Sequence, residues 1–256
     1  MNRQLFAALL SVCSLATAAP ATLRDPRVDV PRQMFTSAQQ RILDALATRI
    51  QARPAAVPAL QWRGGGLDGG AAWLSFSAPF RTRTPERLDV FSVGQTEGLH
   101  FLLVLTRPGE REQVWLLEPT DMGNWANYYA PKTIYTARDL NLDGRRELVI
   151  EYAGGIGDGG GRQSSTSLLL LDFNAQGPKI WGSLPVNDAA FGPDGEVFRQ
   201  AAYVVQVEKG KTPRFQGLFL KTLSKPFAER EQYAATGKVV PLKLDPTPPF
   251  KLTRLW

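Results

Sequence analysis

The residues whose types and spacing come nearest to a chemical site are the oxygen donors between positions 139 and 147. Their side chains alternate with leucines, and Gly144 follows at the point where a sharp turn is needed. Calcium takes six to eight oxygen ligands, and alternate side chains of a tight loop can point toward one centre. The spacing therefore predicts a calcium site with these ligands: Asp139, Asn141, Asp143, the carbonyl oxygen of Arg145, and Glu147. The alternative is an Asp- and Asn-rich turn that joins two strands without a metal.

The flanks of this loop decide which kind of calcium motif it could be. Its first six positions match an EF-hand loop, but position twelve is Ile150, where that motif needs a bidentate Glu. The stretch from Arg138 to Tyr152 instead resembles the calcium loop of FG-GAP and VCBS repeats, in which Asp-x-Asn-x-Asp-Gly leads into an apolar strand. The resemblance covers a single copy, and it implies the β-propeller-type repeat unit of integrin α chains and many secreted bacterial proteins.

A second candidate site is the aromatic segment from Trp115 to Tyr129. Trp125, Tyr128 and Tyr129 stand there beside Asp and Asn residues, so their ring faces could bind a sugar or a peptide. The same residues could equally pack a long loop. A pair of carboxyl groups suited to glycoside hydrolysis also stays possible, because such a pair leaves no signature in sequence.

Other catalytic groups are scarce. His100 is the single histidine, it lacks a G-x-S-x-G motif nearby, and its apolar surroundings predict a structural residue of a strand. The glycine-rich stretch 155–160 is predicted to be a flexible loop, because the segment after it has the pattern of a strand and not the helix that a dinucleotide site needs.

The N-terminus predicts export. Arg3 precedes an apolar run from Leu5 to Leu15, and small residues follow up to Ala19, as in a secretory signal peptide covering residues 1–19. The mature protein is therefore expected in the periplasm or outside the cell. Cys13 would leave with the peptide, unless it is the acylated residue of a lipoprotein. No later segment is long and apolar enough to predict a membrane span.

The charge of the chain limits the classes of partner that it could bind. The chain has 30 Lys and Arg against 24 Asp and Glu, and these basic residues form no run along the sequence. We therefore exclude nucleic acid as the main partner and expect a protein or an anionic envelope polymer.

Glycines, prolines and β-branched residues predict the architecture. Residues 20–58 are expected to form an extended lead-in and one helix, Ser37 to Ala52, whereas residues 59–256 form a β-rich domain. The predicted strands are 71–77, 87–93, 99–106, 112–118, 132–137, 146–153, 166–173, 178–183, 196–208, 215–223, 237–244 and 250–255. The fold class is thus mainly β, an antiparallel meander closing as a sandwich or a partial propeller-like sheet, with one N-terminal helix.

Together these observations predict an exported, non-enzymatic β-rich module with a structural calcium loop, which binds a protein or an envelope polymer. The alternative is a glycoside hydrolase that acts on envelope polysaccharide through two carboxyl groups.

Overall fold

A computed structural model of the chain describes residues 19–29, 37, 41, 44–46, 48–49, 73–95, 98–120, 127–158, 161–192, 196–223 and 232–256. These residues form thirteen strands in two antiparallel sheets. The prediction of a mainly β protein is therefore confirmed.

The smaller sheet has five strands in the order β13-β5-β4-β3-β2. Its strands are β2 (Trp73–Ala78), β3 (Glu86–Gln95), β4 (Gly98–Thr106), β5 (Gln113–Pro119) and β13 (Phe250–Arg254). The last strand returns from the end of the chain to pair with β5, where Leu252 lies opposite Leu117. The C-terminus is thus part of this sheet.

The larger sheet has eight strands, seven of them in the order β12-β11-β10-β9-β8-β7-β6, and it curls into a half-barrel. Its strands are β1 (Ala21–Arg24), β6 (Asn127–Thr136), β7 (Leu148–Asp158), β8 (Gly161–Asn174), β9 (Gly177–Phe191), β10 (Val197–Glu208), β11 (Arg214–Thr222) and β12 (Tyr233–Leu242). Each strand from β6 to β11 pairs with the next one along the chain, which is the predicted meander.

The main core lies between the two sheets. Alternate residues of β4, such as Phe101 and Leu103, share one buried cluster with alternate residues of β7, such as Leu148 and Ile150, and all four are fully buried. This is what a strand's period of two residues produces when one face is covered. A second apolar cluster joins β7 to β11 and includes Leu140.

The N-terminal strand is tied to the larger sheet by long-range contacts. β1 pairs with β10, and the Tyr135 hydroxyl donates to the carbonyl of Leu23 over 2.9 Å. The Nε atom of Arg24 donates to Glu151 of β7 over 2.5 Å, and the Glu151 carboxylate is 1% exposed. The segment predicted as an extended lead-in thus places a cation beside a buried carboxylate.

The described residues between 37 and 49 are helical, in agreement with the predicted helix, whose other residues lie outside the described part of the chain. Leu46 is buried, and Arg49 pairs with Glu112 and lies 5.1 Å from the ring centre of Trp256. This segment therefore packs against the smaller sheet. Among the described residues, no helix is long and apolar enough to cross a membrane.

All twelve predicted strands overlap observed ones, and the differences lie at their ends. β9 runs to Phe191 instead of ending at 183, because Pro185 lies where the β8–β9 register shifts, and a bulge accommodates a residue without an N–H donor. The glycine-rich stretch predicted as a loop continues β7 up to Asp158.

Candidate functional site

The predicted calcium loop is the connection between β6 and β7, and both of its ends are held by the fold. Thr136 lies opposite Leu148 in the sheet, and the N–H of Ala137 donates to the carbonyl of Glu147 over 2.9 Å. Leu140, 1% exposed, packs into the second apolar cluster and anchors the middle of the loop. The intervening residues must therefore turn sharply within a short span.

The turn brings the oxygen donors together through backbone hydrogen bonds. The carboxylate of Asp139 accepts the N–H of Asp143 over 3.0 Å and that of Gly144 over 2.8 Å. The amide oxygen of Asn141 accepts the same Asp143 N–H over 3.1 Å. Gly144 adopts a φ of 86°, a left-handed conformation that glycine reaches without a steric cost. Three predicted ligands thus converge on one turn.

Asp143 and Arg145 are held against each other. The N–H of Arg145 donates to Oδ1 of Asp143 over 2.9 Å, and its guanidinium group pairs with Oδ2. The positive charge of Arg145 is therefore directed at one of the carboxylates of the predicted site. A cation at this loop would compete with that guanidinium group for Asp143.

Glu147 closes the loop from the buried side. Glu147 is 1% exposed, and its carboxylate accepts a hydrogen bond from the N–H of Leu140 over 3.0 Å. The pKa of Glu147 is raised to about 7, mainly by burial; hydrogen bonds from the backbone N–H groups of Leu140 and Glu147 oppose this rise, and the negative charges of Asp172 and Asp139 contribute to it. Its negative charge is therefore poorly compensated where it lies.

Asp172 belongs to this site, and our sequence analysis missed it. It lies near the end of β8, where the amide nitrogen of Asn141 is 3.5 Å from its Oδ1. The N–H of Phe173 donates to the same oxygen over 2.8 Å, and the amine of Lys179 is 3.0 Å from Oδ2. The sequence did contain one indication of this residue, because Asp172 directly follows four leucines in a predicted strand. A carboxylate in such a position is seldom buried without partners.

Across the described residues, His, Cys, Asp and Glu side chains form no cluster of three or more that could hold a metal ion. The loop offers a mixed set of donors in its place: carboxylates, the amide oxygen of Asn141 and backbone carbonyls. Asn and backbone carbonyl oxygens are ordinary calcium ligands, so this donor chemistry suits a hard cation once Asp143 turns away from Arg145.

Two other loops touch this one. The N–H of Arg146 donates to the carbonyl of Pro79 over 2.8 Å, which brings in the β2–β3 connection. In that connection, Nε of Arg83 lies 3.3 Å from where a Cβ on Gly144 would stand. On the other side, the N–H of Gly210 in the β10–β11 turn donates to the carbonyl of Leu140 over 3.1 Å. The candidate site is therefore assembled from three connections.

The aromatic candidates lie elsewhere. Tyr128 and Tyr129 pair with Gly155 and Gly154 near the start of β6, whereas the loop follows its end, about 25 Å away at 3.3 Å per residue. Their side chains and the whole of Trp125 lie outside the described part of the structure. The fold thus does not bring the aromatic pair to the predicted calcium loop.

His100 is a buried strand residue, as predicted. It lies on β4 with no exposed surface, and its Nε2 is 3.9 Å from the carboxylate of Glu118 on the neighbouring strand. A group enclosed in this way cannot meet a substrate.

Comparisons of the chain with protein-family models, with curated proteins and with solved structures found no match. The resemblance to the FG-GAP and VCBS calcium loop therefore rests on residues 138–152 alone and stays a prediction.

Proposed function

We propose that this chain is an exported, non-enzymatic β-rich module in which the loop 139–147 binds calcium, and that it serves to bind a protein or an envelope polymer. The observation that carries the proposal is the convergence of Asp139, Asn141 and Asp143 on one turn through hydrogen bonds from its backbone. Each carboxylate oxygen of Asp139 and the amide oxygen of Asn141 accepts one of these hydrogen bonds and keeps a further lone pair for a cation, whereas Oδ2 of Asp143 accepts from both Asn141 and Arg145.

The remaining donors complete the set that calcium prefers. The carbonyl oxygen of Arg145 and the carboxylate of Glu147 follow in the order expected for such a loop, and water fills the rest of the shell. Asp172 adds a negative charge on the same side, because the amide of Asn141 lies 3.5 Å from it. The surplus of carboxylates around the buried Glu147 favours a divalent cation.

Calcium in this place would have a structural role. It would compensate the buried charge of Glu147 and hold together the connection that joins β6 to β7. An ion that binds only the native state stabilises it by RT ln(1 + [L]/Kd), which is about 2.7 kcal/mol at a hundredfold excess over Kd. The expected consequence of calcium is a higher melting temperature without any turnover.

The test is calorimetric titration of calcium into chelator-treated protein, together with melting curves in calcium and in chelator. We expect one saturable site and a raised melting temperature, both lost in Asp139→Ala combined with Asp143→Ala. Glu196→Ala is the control, because Glu196 is exposed and lies outside the loop. If the double variant bound calcium as tightly as the control variant, the loop would not be the site.

A glycoside hydrolase that used the carboxyl groups of this loop would suit the geometry less well. The raised pKa of Glu147 is typical of a general acid. However, Glu147 is 1% exposed, so a glycosidic oxygen could not come within hydrogen-bond reach of it. Turnover of a glycan that Glu147→Gln abolishes would favour the hydrolase over our proposal.

A further inference from the structure

The net positive charge of the chain is confined to its C-terminal quarter. Residues 196–256 contain 11 Lys and Arg against 5 Asp and Glu, a difference of +6, which equals the net charge of the whole chain. Residues 1–195 contain 19 of each kind and are neutral as a group. The excess charge is therefore a local feature and not a property of the whole surface.

The fold brings part of this charge to the calcium loop. The β10–β11 turn carries Lys209 and Lys211 on either side of Gly210, whose N–H donates to Leu140. Further basic residues come from the loop itself, from the β2–β3 connection and from β9. We call the following exposed residues the basic rim: Arg83, Arg138, Arg146, Lys179, Lys209 and Lys211.

The charges of the basic rim are largely uncompensated. Within the described part of the chain, Lys179 is the one member with a carboxylate within 4.0 Å, namely that of Asp172. The carboxylates of Asp139 and Glu147 accept backbone N–H groups within the loop instead. The carboxylates therefore lie within the loop, and the exposed cations of the basic rim lie around it.

We infer that the basic rim is a binding surface for an anionic polysaccharide and that calcium in the loop strengthens this binding. The inference rests on the proposed function, because it specifies the partner of the same loop. The six residues of the rim and Arg145 contribute +7, and the three carboxyl groups of the loop together with that of Asp172 contribute −4 when ionised. A bound Ca²⁺ raises the local charge from +3 to +5, so each ligand increases the affinity for the other by the same factor.

A polysaccharide fits this surface better than a nucleic acid does. All six residues of the rim are Lys or Arg, so these residues themselves offer no ring on which bases could stack, and such stacking provides much of the affinity for single strands. Five of the six cations lie on three separate connections and Lys179 lies on β9, so together they form a broad patch and not a single element that could enter a groove. Sulfate or carboxylate groups along a glycan need only dispersed positive charges.

The experiment measures the affinity of the full mature protein for fluorescein-labelled dextran sulfate, with uncharged dextran as the blank, in saturating calcium and in chelator. The rim variant is Lys209→Glu combined with Lys211→Glu. The control variant is Lys221→Glu combined with Lys238→Glu, which changes the net charge equally on exposed residues of β11 and β12. Lys221 is near the end of β11 opposite to the turn.

We expect the rim variant to bind dextran sulfate at least about tenfold more weakly than the control variant, and calcium to tighten binding by the wild type. Equal losses in the two variants would overturn the inference, because they would indicate attraction by net charge alone. Tighter binding of a single-stranded RNA of equal charge would also overturn it. Calcium binding that leaves dextran sulfate affinity unchanged would refute the coupling.

These results are separable from a failure of the calcium loop. The rim variant keeps all the predicted ligands, so we expect it to bind calcium in the calorimeter as the wild type does. Suppose that neither the wild type nor the variants bound calcium, but that the rim variant alone had a reduced affinity for dextran sulfate. The proposed calcium loop would then be wrong, and the inferred polysaccharide surface would still be supported.

Discussion

Glu147 should make the calcium-free protein less stable as the pH rises. Its carboxyl group has a pKa of about 7 in the folded protein, raised by burial from the ordinary 4.5. Between these two values the folded state binds more protons than the unfolded state, so the free energy of unfolding falls with increasing pH. This loss of stability is absent below about pH 4.5 and reaches its full size above about pH 7.

The size of this effect follows from the two pKa values. Each tenfold difference in proton affinity corresponds to 1.36 kcal/mol, so a rise from 4.5 to about 7 costs about 3 kcal/mol at pH 8. With Glu147 1% exposed, solvent screening does little to reduce that figure. Replacing Glu147 with Gln removes the charge but keeps an oxygen that can accept the N–H of Leu140.

The assay is urea unfolding of the wild type and of Glu147→Gln in chelator, from pH 4.5 to pH 8. We expect equal stabilities at the acid end and a variant that is more stable by up to about 3 kcal/mol at the alkaline end. Saturating calcium should stabilise the wild type most at the alkaline end, where Glu147 is ionised, and should therefore reduce the pH dependence of its stability. If the stabilities of the two proteins in chelator changed with pH in parallel, the assignment of the buried charge to Glu147 would be refuted. Glu196→Gln is the control, because Glu196 is exposed.

Two further predictions concern the frame around the loop. Arg24→Met should lower the free energy of unfolding by about 3–5 kcal/mol, because it leaves the buried carboxylate of Glu151 unpaired. The control is Arg27→Met, because the exposed ion pair of Arg27 with Asp25 contributes under about 1 kcal/mol to stability. If urea unfolding showed similar losses of stability in the two variants, this account would be contradicted. Gly144→Ala and Gly109→Ala should each cost about 1–2 kcal/mol for a positive φ, but only Gly144→Ala should also weaken calcium binding in calorimetry. Equal calcium affinities in the two glycine variants would argue against the loop.

Local patterns predicted the strands well because the fold is a meander. In such a sheet most partners of a strand are its neighbours in sequence, so turn signals and a period of two residues locate nearly every element. The errors came from residues whose effect depends on a partner strand. The predicted strand 178–183 stops before Pro185, but the bulge opposite β8 accommodates this proline within β9. Gly155 suggested a loop, but it pairs with Ser164 and Tyr128 on either side.

The same distinction holds within the site. Asp139, Asn141 and Asp143 could be grouped from sequence, because their contacts form within a single turn of five residues. Asp172 could not be added to them, since its distance to Asn141 depends on β7 and β8 pairing in one register.

The sequence by itself determined the alternating strands, the turns and the oxygen-rich loop, since all of these depend on residues within a few positions of each other. Only the tertiary structure decided that Arg24 meets Glu151 across 127 positions, and that the turn at Gly210 lies against Leu140. Basic residues dispersed along the chain thereby come to surround one loop. The physical reason is that a period of two residues specifies which face of a strand is buried, but it does not specify how a curled sheet brings distant connections together.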